Sequence, residues 1–308
     1  ERCSGFCDLR GSSAISGQTL DEDPVSWLRG ALSVLIKSVP PMGSKEVGCV
    51  YLTHPGVPAY MGVNEFGVSL CCFAFDDGSK NPDGCPVNAI CREVLAKPTL
   101  AEAVAYLKSV PSALPEGYIL QDGSAGVVVE TSSCPDYAKQ CVVHHIPVGS
   151  FAVETNDPVY HECMQANPLC DPPNGCPRYR RLRTVLKSTR SGLTLEAAKR
   201  ALCRVWQKRK DEDNCSTICA MLFAGPAMHV MFRKLATSGP SNLWITVSAS
   251  AEGETSRQEA VVEPAVKRLS AAKDPSKANS SSSQIAISNL AVAVVSDANA
   301  VDSKSPRV

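Results

Sequence analysis

A cysteine stands at position 3, almost at the start of the chain. To attack an amide, a thiol must lose its proton, and a free cysteine with a pKa near ~8.5 is only a few per cent thiolate at neutral pH. The usual helper is a histidine. The five present, His54, His144, His145, His161 and His229, sit in no recognisable cysteine-protease signature. On a strand, the adjacent His144 and His145 would point to opposite faces, so only one could enter a given site. A second solution needs no histidine. If the bond before Cys3 is cut, its α-amine is freed, and an amine of pKa ~7.7–8.0 is well matched to act as a base near neutrality. One residue then carries both nucleophile and base, as N-terminal threonines do. Cys3 could make that cut itself, attacking the Arg2 carbonyl by an N→S acyl shift. Residue type alone leaves a plainer role open, a small buried residue on a first strand.

Other groups invite chemistry less strongly. Cys3 with Cys7, and Cys215 with Cys219, form C-x₃-C pairs, looser than the common zinc spacing. On strands, that spacing puts both thiols on one face in any case. Cys163, Cys170 and Cys176 lie in a Pro/Asn/Gly-rich loop and could pair in an oxidising compartment. The basic run RYRRLR (178–183) reads as a solvated helix face or as a patch for an acidic acyl carrier or coenzyme A phosphates. KRKDED (208–213) mixes both signs and reads as a solvated helix exit.

The bulk numbers bound the answer. The 308 residues are 44% hydrophobic and 20% charged, ordinary globular usage. Lys+Arg and Asp+Glu are 31 each, so no charge imbalance recommends nucleic acid or an acidic membrane as partner. Fifteen cysteines, an odd number in a chain long enough to bury a core, favour mostly reduced thiols. No charged-then-apolar leader is visible, and no run approaches the ~20 apolar residues of a membrane span. No GxGxxG or GxxxxGK is present, and no cofactor is implied. The sequence does not choose between monomer and homo-oligomer.

The elements that must position Cys3 follow from periodicity. Strands are expected over 3–9, 14–19, 48–54, 59–63 and 68–75, with a hairpin at Asn64-Glu65-Phe66-Gly67. Length favours a helix over 27–39, although its β-branched residues fit a strand. Helices are expected at 86–96 and from Thr99, where Thr-Leu-Ala-Glu fits a capping box and Leu100, Ala103, Val104 and Leu107 share a face. Strands resume at 125–131, 140–146 and 150–155, helices at 179–188 and 195–207, and strands at 217–223, 229–234 and 243–248. Helices follow groups of strands, which argues for antiparallel sheets with helical layers outside. Beyond residue 250 the chain turns small and polar without an aromatic residue. The expectation is therefore a domain over 1–249 and a disordered low-complexity tail over 250–308, with a strand or helix at 284–296.

Several of these stretches, in order, resemble one family. CSGFCDLRGSSAISGQTLDED (3–23), with its Gly17-Gln18-Thr19-Leu20-Asp21 turn, looks like the mature N-terminus of N-terminal-nucleophile (Ntn) amide hydrolases. MGVNEFGVSL (61–70), the segment 84–107, GVVVETS (126–132), FAVETNDP (151–158) and DNCSTICAMLF (213–223) resemble further motifs of the same family. The similarity covers roughly 3–248. It is strongest to the acyl-coenzyme A:6-aminopenicillanic acid acyltransferase family (peptidase family C45), with choloylglycine hydrolases and penicillin V acylase more distant. The resemblance implies an α+β fold, an αββα four-layer sandwich of two antiparallel sheets between helical layers.

It also implies an amidohydrolase or acyltransferase acting on a linear, non-peptide amide or an acyl thioester of acyl-coenzyme A type. Cys3 would be the nucleophile, with its freed amine as base. Asp21 would hold and tune that amine. Asn156 would donate to the oxyanion. Both residues also suit ordinary turns. The sequence departs from the family's pattern at Gln18 and Thr19, where choloylglycine-type members carry Arg and Asn. It departs again on the strand LCCFAF, which lacks their Asn, and at Ala220, where some carry Arg. Bile-salt and penicillin V substrates are poorly supported for that reason. Only Glu1 and Arg2 precede Cys3, where the family's acyltransferases carry a long propeptide; that fits a piece of a longer chain. The departures keep a non-catalytic relative, serving as a binding or structural domain, as the alternative.

Overall fold

The computed structural model describes residues 2–22, 34–40, 43–54, 56–133, 141–166, 175–207, 216–232, 240, 243–250 and 291–296. Strand β1 (Arg2–Asp8) runs antiparallel to both β2 (Ile15–Glu22) and β10 (Phe151–Glu154), with Cys3 opposite Leu20. Strand β2 then pairs with β11 (Ser216–Ala224), followed by β12 (Ala227–Phe232) and β13 (Ile245–Ser248). The result is a six-stranded sheet of order β10-β1-β2-β11-β12-β13.

The second sheet takes β3 (Val34–Val39), β4 (Cys49–Thr53), β5 (Met61–Asn64), β6 (Ser69–Ala74), β7 (Glu116–Gln121), β8 (Gly126–Thr131) and β9 (Cys141–His145) in chain order. Its other edge is β14 (Ala291–Ser296), parallel to β3 and the one parallel pair among the described strands.

Strand alternation explains the layers. Cys3, Cys7 and Leu20 pack into the apolar cluster between the sheets, with Val63, Leu70, Phe73, Tyr118 and Leu120. Phe6, one position out of phase, joins Leu222 and Met231 on the outer face, under α4 (Pro177–Ser188) and α5 (Leu195–Arg204). These helices present Tyr179, Leu182 and Leu186, and Ala198, Ala201 and Leu202. On the far side, α1 (Val87–Leu95) and α2 (Leu100–Ser109) bury Ile90, Val94, Leu95, Ala103 and Leu107 against the eight-stranded sheet. This is the αββα sandwich. The short α3 (Glu162–Gln165) follows β10.

Local signals act as expected at several ends. The Thr99 hydroxyl accepts from the Glu102 N–H (3.2 Å) at the start of α2. Asn64 Oδ1 accepts from the N–H groups of Phe66 and Val68 (3.1 and 3.0 Å), and Gly67 takes φ +84°, which a side chain would oppose. The expectation of a helix over 27–39 is corrected. Val34–Val39 is a strand, its Val, Leu and Ile residues paired antiparallel to β4, while 23–33 lie outside the described residues. Strand β7 was not expected. EGYILQ is buried along its whole length, so it lacks the alternation that marks a half-exposed strand. Within the C-terminal stretch, 291–296 is strand; 251–290 and 297–308 lie outside the described residues.

Candidate active site

Four segments distant in sequence meet at the start of β1. The Cys3 backbone N–H donates to Asn156 Oδ1 at 2.6 Å. Asn156, just beyond β10, is placed there because β10 is the edge neighbour of β1. Its Nδ2 donates to the Ala74 carbonyl at the end of β6 (2.8 Å), tying the two sheets together. An amide nitrogen carries two hydrogens, so this bond uses one of them.

Asp21, on β2, is fully buried. Its Oδ1 accepts from the Thr217 hydroxyl of β11 at 2.6 Å, and its Oδ2 faces Arg178 Nη1 at 3.3 Å. Burial pushes its carboxyl up to about 6; the Thr217 bond and the Arg178 charge oppose that rise. Asp21 is turned toward α4, whereas the Cys3 thiol faces the space between the sheets. Sequence reasoning expected Asp21 to hold the amine; in the structure Arg178 bonds both Asp21 Oδ2 and the Cys3 carbonyl.

Arg178 is the residue that the sequence reading missed. Its guanidinium, mostly buried, donates to the Cys3 carbonyl, to Ser4 Oγ (3.0 Å) and, through Nη2, to Asn156 Oδ1 (3.1 Å). One planar cation with several fixed donors thus touches Cys3, Asp21 and Asn156 at once. The RYRRLR run pointed to a solvated face or an anion patch. The overlooked signal was position: Arg178 stands four residues before Leu182 and so lies on the buried stripe of α4. Arg180, Arg181 and Arg204 line a separate, open groove of about 550 Å³.

On the thiol side, Cys3 shares a narrow cavity with Leu20, Tyr60, Met61, Cys72, Ala74, Val87 and Glu116. Its volume is about 10 Å³, near the room one water needs. The Cys72 thiol donates to Glu116 Oε2 at 3.6 Å. Gln18, standing where the resemblance expected Arg, clasps β6 instead. Its Nε2 donates to the Cys72 carbonyl and its Oε1 accepts from the Cys72 N–H at 2.8 Å. Burial pushes the thiols of Cys7, Cys71 and Cys219 up, and Cys72 rises through the Cys91 thiol and burial, so these sulfurs stay protonated and inert. The cysteines among the described residues are free thiols, and no metal-binding group of His, Cys, Asp and Glu occurs among them. Cys170 and Cys215 lie outside the described residues. No described helix is long and apolar enough to cross a membrane.

No family model matches the sequence, and no curated protein matches it. Solved structures do. An N-acylethanolamine-hydrolyzing acid amidase ortholog from Caenorhabditis elegans superposes with a TM-score of 0.53 at 18% identity, over 71% of this chain and 92% of that one. Penicillin V acylase from Agrobacterium tumefaciens gives 0.54 at 17% identity, over 82% and 89%. Conjugated bile acid hydrolase from Clostridium perfringens gives 0.52 at 14%, over 80% and 92%. At such identities the likeness speaks for architecture, and the architecture is that of the N-terminal-nucleophile hydrolases.

Proposed function

We propose that the chain is an N-terminal-cysteine amidohydrolase whose nucleophile, Cys3, is released by cleavage of the Arg2–Cys3 bond. The observation that carries this reading is the convergence of Asn156 and Arg178 on the main-chain atoms of Cys3, across 153 and 175 residues of sequence. A buried cysteine on a first strand needs neither. Once freed, the Cys3 amine inherits the bond to Asn156 Oδ1 and takes the thiol proton. The thiolate attacks the amide carbonyl. The tetrahedral oxyanion is met by the remaining Asn156 N–H, a contribution worth about 3 kcal/mol in comparable sites. Collapse expels the amine, protonated by the Cys3 ammonium, and leaves a thioester on Cys3. Water, deprotonated by the same amine, releases the acid. An amine acceptor in place of water, with an amide or an acyl-coenzyme A as donor, makes the same site an acyltransferase. Arg178 and Asp21 hold the Cys3 backbone still and set the local charge.

The kind of substrate, a small linear amide, is suggested by the solved neighbours, enzymes named for N-acylethanolamines, penicillin V and conjugated bile acids. A second reading, a non-catalytic relative kept as a binding domain, draws support from the 2% exposure of Cys3 and from the narrow cavity before it. Intact mass and N-terminal sequencing separate the two readings, followed by trapping of acyl adducts with a panel of linear p-nitroanilides and thioesters. A product beginning at Cys3 that gains acyl mass on Cys3 supports the enzyme. An uncut chain whose Cys3 stays unlabelled by iodoacetamide supports the binding domain.

A further inference from the structure

Two buried carboxyls bracket the turn that carries Asn156, and neither belongs to the chemistry above. Glu130, at the end of β8, and Glu154, at the end of β10, are both completely buried. Glu130 accepts four hydrogen bonds from the backbone just beyond Asn156. Its Oε1 takes the N–H groups of Val159 (2.6 Å) and Tyr160 (3.1 Å), and its Oε2 those of Tyr160 (3.0 Å) and His161 (2.6 Å). Burial pushes the Glu130 carboxyl up, but the three backbone donors and His161 oppose that rise and favour its charged form. Glu154 has the opposite surroundings. Its Oε1 accepts from the Thr155 N–H at a long 3.3 Å, and its buried Oε2 has no backbone donor aimed at it.

We propose that Glu130 and Glu154 form a one-proton positioning pair, Glu130 ionised and Glu154 neutral, that fixes the 155–161 turn and so holds Asn156 against the Cys3 nitrogen. Glu154 ends two residues before Asn156, and the clamp on Glu130 begins three residues after it. The turn is therefore anchored on both sides of Asn156. A buried charge beside another buried charge of the same sign is costly. Burial pushes the Glu154 carboxyl well above its ordinary range, and the charges of Glu130 and Asp157 push the same way. Around the pair stand His161, Tyr160, and Tyr179 and Arg183 of α4, with His144 of β9 stacked on the Tyr160 ring at 3.9 Å. When the last proton leaves, the two carboxylates repel across the turn, and Asn156 loses its register with Cys3. A displacement of about 1 Å at a catalytic group can cost ~100-fold in rate.

The activity part of this proposal rests on the function argued above; the structural part does not. Hydrogen exchange at the amides of Val159, Tyr160 and His161 is to be followed against pH in the Cys3→Ala protein, which needs no turnover, alone and combined with Glu154→Gln or Glu130→Gln. With Glu154 intact, protection is expected to fall at alkaline pH faster than base-catalysed exchange explains. With Glu154→Gln, which cannot ionise, that excess vanishes. With Glu130→Gln, exchange at the three amides is roughly 10- to 100-fold faster at every pH. In the cleaved, active protein, Glu154→Gln removes the alkaline fall in kcat while leaving KM unchanged. Identical exchange profiles for Glu154→Gln and its parent would overturn the pair, and so would unchanged protection in Glu130→Gln. If Glu130→Gln does not fold, the Glu154→Gln comparison decides. Exchange that follows the proposal in a protein without amidase activity removes the proposed function and leaves the pair standing.

Discussion

The two faces of the six-stranded sheet differ at the Cys3 end. The inner face is mostly apolar: Cys3 and Leu20 meet Met61, Cys72 and Ala74 of the eight-stranded sheet around a cavity of water size, which Glu116 also lines. The outer face is polar and charged: Ser4, Asp21 and Thr217 under the guanidinium of Arg178. Strand alternation forces the split, since Cys3 and Ser4, or Leu20 and Asp21, cannot share a side. The backbone of Cys3 is the seam that both faces touch, through its carbonyl to Arg178 and its nitrogen to Asn156. The Cys3 thiol thus faces a narrow apolar slot, while the charges that hold its backbone sit behind the sheet.

The comparison breaks most sharply at the seam. Cys3→Ala is expected to abolish both cleavage before residue 3 and acyl transfer, with no loss of folding, as judged by intact mass and circular dichroism. Asn156→Ala, which removes the link to Cys3 nitrogen and the free N–H, should lower kcat about 100- to 1,000-fold, measured with the best p-nitroanilide. Arg178→Met tests the outer face. It strands Asp21 as a buried charge, and breaking such a pair costs about 3–5 kcal/mol, read from urea unfolding.

The pH dependence of that variant carries a sign. Asp21 is raised to about 6 when folded, against ~3.9 in the unfolded chain. Its contribution to stability is complete below about pH 4 and is lost as pH rises through about 6. Without Arg178, which opposes the rise, the loss should extend to higher pH. A variant whose stability curve keeps the original midpoint would show that Arg178 does not govern Asp21. The smallest effect lies far from both faces: Thr99→Ala should cost about 1 kcal/mol of stability through the α2 cap and leave kcat unchanged.

The separate groups were legible in the sequence to the extent that their cause is local. Cys3 was singled out by its place and Asn156 by its motif, and the Thr99 cap and the Asn64–Gly67 hairpin carry their own turn chemistry. Arg178 was not found, because a basic run at a helix start looks the same whether its first arginine faces water or a buried aspartate. Strand β7 was missed because EGYILQ has neither alternation nor more than one β-branched residue, whereas the equally buried β8 is marked by three consecutive valines.

Most elements, β3 and β7 excepted, the phase of the expected strands and the place of the nucleophile candidate were legible in the sequence alone, since φ/ψ preference and period-two burial act over a few residues. Only the tertiary structure decided that Asn156 accepts from the Cys3 nitrogen, that Arg178 bonds both Asp21 and the Cys3 carbonyl, and that Gln18 is a clasp between sheets. Each of these contacts joins residues on different strands or helices, and its direction depends on sheet register and helix rotation, which no local pattern encodes.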